Sequence, residues 1–230
     1  MITKHSCIRG NFKHMKNKSK EKNLSLVVIL IVALLSIAYT ILRYHIVGNT
    51  SWSQFPVYIL NKGLSLTGFI LLAINFSLSP LNNIGTGISD RWLSIRPALG
   101  VSSFLLIFTH LFLSLILLNP ANYQKFFLEN GALTTNGGLS MLAGVIAFIT
   151  LWIYTISFQT FLKEDKAFIK FITSRKVILI AMVFTAAHFF FMGYQGWLTP
   201  QNWPGGLPPI TLISFVIFIV AYVINLIGRK

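Results

Sequence analysis

The stretch RPALGVSSFLLIFTHLFLSLILL, Arg96 to Leu118, carries no charge after its first residue and is followed at once by Asn119-Pro120. An apolar bilayer core of about 30 Å needs roughly 20 helical residues rising about 1.5 Å each, which this run supplies. Pro97 suits a first helical turn, so a membrane-spanning helix is expected over 97–118. Five more runs of this kind follow from the same test. They cover 24–42, between Lys22 and Arg43; 63–78, expected to be closed by Pro80 and the turn-like Asn82-Asn83-Ile84-Gly85; and then 139–162, 177–197 and 210–228, the last preceded by Pro208-Pro209. The expected architecture is an all-α polytopic membrane protein. It consists of a six-transmembrane-helix bundle over 24–228 and a basic tail at 1–23, with no repeat and no separate soluble domain.

Composition agrees. Of 230 residues, 54% are hydrophobic and only 10% charged, and the mean hydropathy is +0.71, too apolar for a soluble domain of this size. The net charge of +14 would suggest nucleic-acid binding in a soluble chain. Here the cations lie before and between uncharged runs, so they mark topology and no nucleic-acid partner is expected. With an inward N-terminus, the inner segments hold Lys4, Arg9, Lys13, Lys16, Lys18, Lys20, Lys22, Arg91, Arg96, Lys163, Lys166, Lys170, Arg175, Lys176, Arg229 and Lys230. The outer segments hold Arg43, Lys62 and Lys125 alone. Sixteen cations against three place both termini in the cytoplasm. Trp197 and Trp203 flank an uncharged outer segment and suit an interfacial aromatic belt, most simply as anchors.

The first run is too long for a signal-peptide core and lacks a small-x-small cleavage site, so it is expected to be retained. Met15-Lys16-Asn17-Lys18 is itself a plausible start. Residues 1–14, with His5, Cys7 and His14, are therefore expected to be dispensable or untranslated, and an intact mass beginning at Met1 would overturn the untranslated version. The single cysteine, Cys7, excludes a disulfide framework, a four-thiolate cluster and a CxxCH haem attachment.

All five acids, Glu21, Asp90, Glu129, Glu164 and Asp165, fall outside the runs, which argues against proton-coupled or cation-coupled transport. The strongly polar groups within the runs are Asn75, His110, Gln159 and His188. The third and fifth runs are parallel, and His110 lies 14 residues beyond Arg96 while His188 lies 13 beyond Arg175. Both imidazoles thus sit about 20 Å from the inner surface. Equal depth on two helices is what bis-histidine ligation of a b-type haem requires, so His110 and His188 are candidate ligands of a haem iron. At helical spacing from His110 lie Gly100, Ser103, Ile107, Ser114 and Leu117; near His188 lie Ala181, Phe184, Thr185, Phe191 and Met192. The small residues would leave room for a porphyrin edge, though ordinary packing of membrane helices favours them too. Arg43 is a candidate contact for haem propionates or a simple interfacial anchor.

The stretch from Arg96 to His110, with a basic residue, Leu99-Gly100 and a histidine ten steps on, resembles the third helix of the ferric reductase-like transmembrane domain family. The likeness is nearest to the haem-binding membrane subunit of the bacterial methionine sulfoxide reductase system. LSLTGFILLAINFSLSPL, Leu64 to Leu81, and SRKVILIAMVFTAAHFF, Ser174 to Phe190, are similar to that family's second and fifth helices. The resemblance covers roughly 64–197. It implies a bacterial inner-membrane cytochrome that moves electrons across the bilayer through b-haem to an acceptor on the outer side, with ligands at His110 and His188. It also marks a departure, because the family commonly has a histidine where this chain has Arg175. One haem is therefore expected. No Gly-x-Gly-x-x-Gly fingerprint is present, so electrons are expected from a quinol, a bound flavin or a cytoplasmic reductase. Arg91, Arg96, Lys170, Arg175 and Lys176 form an inner basic surface suited to such a donor or to positive-inside anchoring alone. The competing expectation is a cofactor-free scaffold, assembly factor or small permease on the same fold.

Overall fold

The computed structural model describes residues 4–156 and 166–228, and of residues 4–20 and 22 the backbone alone. Six long helices carry the fold: α1 (Lys4–Thr40), α2 (Lys62–Asn83), α3 (Arg96–Leu117), α4 (Thr135–Ile156), α5 (Arg175–Trp197) and α6 (Ile210–Ile227). Each supplies a segment long and apolar enough to cross a membrane. Among the described residues the only β-pairing is an isolated bridge between Phe127 and Leu133. The expected end of the fourth run at 157–162, with Gln159, lies outside the described residues. So do 1–3, 163–165, 229 and 230.

Helices are the natural outcome for such runs, because a chain without water to bond its backbone must satisfy N–H and C=O within each segment. The outward faces are correspondingly apolar: Leu34 and Leu35 are each 67% exposed and Ile116 73%. Two wide-turned π segments, Ile41–Ile46 and Pro56–Asn61, extend α1 and lead into α2. Helix α1 also runs back through the basic tail to Lys4.

Pro80 does not stop α2, contrary to expectation, for the helix continues to Asn83 and ends before Gly85, whose φ is 83°. A proline inside a helix removes the hydrogen bond to the carbonyl four residues earlier, here that of Phe76. The Asn225 amide of α6 donates to that carbonyl at 3.2 Å and replaces the missing partner. Gly228 packs directly against Pro80, where any side chain would collide with the ring.

Helix α2 is the centre of the packing. Within its apolar segment 61% of the residues are buried, whereas no other span exceeds 28%. It packs against α1, α3 and α6, and the order α2, α3, α4, α5, α6 closes into a ring, with α1 outside against α2. The closest seams are α2/α3 and α4/α5, and the thinnest is α3/α4. Gly68 lets α2 approach α3, since a methyl there would press on the Ser103 carbonyl at 3.2 Å. Ser103 is fully buried and Gly100 faces Asn75, so these small residues serve the α2/α3 contact. That corrects the expectation that they leave space for a porphyrin edge.

The bundle has two unlike ends. At the basic end Arg96 Nε donates to the Asn75 carbonyl (3.2 Å) and Arg175 Nη2 to that of Leu226 (3.1 Å). At the opposite, aromatic end Tyr39 donates to the Pro208 carbonyl (2.6 Å) and Asn136 to Tyr194 (3.3 Å). Trp197 and Trp203 lie here and do more than anchor: Trp197 Nε1 donates to Thr211 and Trp203 Nε1 to the Gly196 carbonyl.

Candidate functional site

His110 and His188 sit in the halves of α3 and α5 nearer the aromatic end. Helices α3 and α5 are not adjacent in the ring, since α4 separates them on one side and α2 with α6 on the other. Both imidazoles are half-buried.

Each ring is held by the same nitrogen. His110 Nδ1 lies 2.7 Å from Oδ1 of Asn61, and His188 Nδ1 lies 2.8 Å from the Ser140 carbonyl. A carbonyl oxygen can only accept, so Nδ1 carries the proton in both rings and the Nε2 lone pair is left over. Neither Nε2 has a hydrogen-bond partner among the described residues. An oxygen acceptor that fixes the tautomer and aims the other nitrogen is the usual support behind a ligating histidine.

The two supports are built differently. Asn61 ends the π segment before α2, is 1% exposed, and donates through Nδ2 to Ser114 Oγ and Tyr123 Oη, both at 3.1 Å. Every hydrogen-bonding direction of this amide is thus tied to α3 or to the loop after it. Burial holds the Tyr123 phenol above its ordinary range, while the bond from Asn61 pulls the other way. On the α5 side the support is main chain, with Ser140 Oγ adding a bond of 3.2 Å to the His188 carbonyl.

Gly144, one turn along α4 from Ser140, completes the seat of His188. A Cβ at this position would lie 2.8 Å from Nδ1. Gly144→Ala is therefore expected to push the imidazole off the Ser140 carbonyl and cost about 1–3 kcal/mol, the usual range for overpacking. Thermal unfolding in detergent checks the loss, and His188 ring NMR shifts check the displacement.

Arg43 lies in the π segment after α1 and is 6% exposed, which does not fit an interfacial anchor. Its Nε and Nη1 are buried without a partner. Arg175, at the position of the family's further histidine, spends Nη2 on the Leu226 carbonyl at the basic end. Among the described residues no three or more His, Cys, Asp or Glu side chains gather in a way that could hold a bare metal ion. A small apolar cavity between α2, α4, α5 and α6 is lined by Phe69, Phe76, Leu151, Met182, Thr185 and Phe218, among others, and is toward the basic end from the histidines.

The structure therefore places His110 and His188 in the same-end halves of two non-adjacent helices, with Arg43 at the aromatic end. Asn61, Ser140 and Gly144 were not foreseen. Asn61 precedes the uncharged run by two residues and resembles loop, Ser140 acts through its backbone, and Gly144 resembles ordinary small-residue packing. A scan for polar residues at the mouths of the runs would have found Asn61 and Ser140, but not Gly144. No protein-family model matches the chain, and no curated protein matches it.

Proposed function

We propose that this chain is a multi-pass b-type cytochrome of the bacterial inner membrane, similar to the ferric reductase-like family, with both termini cytoplasmic. On this proposal it passes electrons across the bilayer to an acceptor on the outer side. The observation that carries the proposal is a pair of imidazoles in the same-end halves of α3 and α5, each with Nδ1 bonded to an oxygen and Nε2 left over. Two histidines are the whole protein contribution that a macrocycle-held iron needs, because the porphyrin provides the other four donors. His110 and His188 would hold one haem b through Nε2, and the haem would supply a one-electron redox centre.

The protein's own part is to fix these rings. Asn61 orients His110 from the π segment ahead of α2 and the Ser140 carbonyl orients His188 from α4, so the two rings are set by separate elements. The apolar side chains around them keep water from the site and so tune its potential. The basic end, with Arg91, Arg96, Lys170, Arg175 and Lys176, is where an acidic cytoplasmic reductase or the phosphate of a flavin would dock; a quinol is the third donor class. A redox protein or metal chelate at the aromatic end would accept.

A dithionite-reduced minus oxidised visible spectrum of the detergent-purified chain, with pyridine haemochrome quantitation, tests this. One b-haem per chain with a low-spin signature is expected. A flat spectrum from haem-replete membranes would overturn the proposal and leave a cofactor-free scaffold or permease.

A further inference from the structure

We infer that Arg43 and Lys62 form a binding site for an oxyanion group, a carboxylate or a phosphate, at the aromatic end of the bundle. Arg43 is 6% exposed, and its Nε and Nη1 find no acceptor. Its guanidinium lies over the Tyr44 ring, 5.1 Å from the centroid. Lys62 Nζ lies against the same ring at 4.0 Å and against Tyr58 at 3.9 Å. Two cations therefore share one aromatic neighbour. No described carboxylate pairs with either of them.

An aromatic face attracts a cation but carries no net charge, so it does not neutralise one. A buried guanidinium with unpaired N–H groups is costly unless an acceptor with negative charge meets it. The donors that want a partner are N–H groups of a planar cation, whose best partners are carboxylate and phosphate oxygens. Tyr44 and Tyr58 lie against these cations, and Gly63 lets α2 approach Thr40 of α1 beside them. Three sources carry the required group: a porphyrin propionate, a lipid phosphate and free inorganic phosphate. The site does not depend on the haem proposal, because its unpaired donors exist whatever binds at the histidines.

The test is thermal unfolding, followed by circular dichroism, of the delipidated full chain in neutral detergent, with and without haem. Wild type, Arg43→Gln and Lys62→Gln are compared. Sodium phosphate is set against chloride at matched ionic strength, phosphatidylglycerol against phosphatidylcholine, and haem b against its dimethyl ester, which lacks free propionates. At least one oxyanion source is expected to raise the wild-type midpoint by about 5 °C or more near a hundredfold excess over Kd, with the rise lost in Arg43→Gln and reduced in Lys62→Gln. The pair of probes that differ identifies the source. If no source raises wild type more than Arg43→Gln, the inference is overturned. Should Arg43→Gln fail to fold, Lys62→Gln decides, and an undiminished response there overturns it equally. A phosphate response with a flat haem spectrum rejects the cytochrome proposal alone; a haem spectrum with no oxyanion response rejects this site alone.

Discussion

On the proposed haem assignment, His110→Ala and His188→Ala are each expected to abolish the reduced b-haem band. Neither ring has a substitute: among the described residues the only other histidine with a described side chain is His45, which bonds the Thr50 carbonyl at 2.8 Å and stacks on Trp52. The residues behind the ligands separate a ligand role from a packing role. Asn61 orients His110 through its side chain, so Asn61→Leu should cost about 10–100-fold in haem affinity, the usual scale for a lost orienting partner. Ser140 orients His188 mainly through its carbonyl at 2.8 Å, with Oγ a further contact at 3.2 Å, so Ser140→Ala should cost less than Asn61→Leu. Haem titration of the four apo-variants measures all of this. Equal affinities for Asn61→Leu and Ser140→Ala would remove the argument from tautomer control, and a full haem band in either alanine variant would remove the ligand assignment itself.

The second large effect concerns the fold. Asn225→Leu is expected to destabilise the protein by about 1–3 kcal/mol, the penalty for leaving a buried acceptor unsatisfied. The acceptor is the Phe76 carbonyl, which Pro80 cannot serve. Pro80→Ala supplies the missing N–H from within α2, so the double variant should recover most of the loss. Alanine also retains the Cβ against which Gly228 packs. Thermal unfolding of the two single variants and the double variant gives the coupling. Additive losses would show that Asn225 stabilises α6 by some other contact, such as its bond to the Ala221 carbonyl at 2.9 Å.

The Pro80 case shows where a sequence stops being legible. The six spans can be placed to within a few residues at most ends because absence of charge over some twenty positions is a local property. The end of α2 is misjudged because the donor that rescues its broken hydrogen bond lies 149 residues away. The start of α2 is misjudged as well, since Pro56–Asn61 continues the helix as a π segment and only tertiary packing makes that wider turn worthwhile. The halves of α3 and α5 in which the two histidines fall are legible because position along a long helix follows from counting. Their partners are not: an amide beyond the end of a run and a backbone carbonyl leave no mark that distinguishes them from loop and filler. Arg43 shows the opposite limit, since its position past the first run suggests a surface cation and only the packing of Tyr44 and Lys62 around it reveals a buried one.

The ring order carries a consequence for biosynthesis. Helices leave the ribosome in sequence, and α6 is the element that joins α5 back to α2. Until it emerges, the ring of helices is open on one side. Afterwards the thin α3/α4 seam is the weakest wall. The ring therefore closes only once this eighteen-residue helix is in place, and contacts across it such as that of Phe69 with Phe218 form after the others.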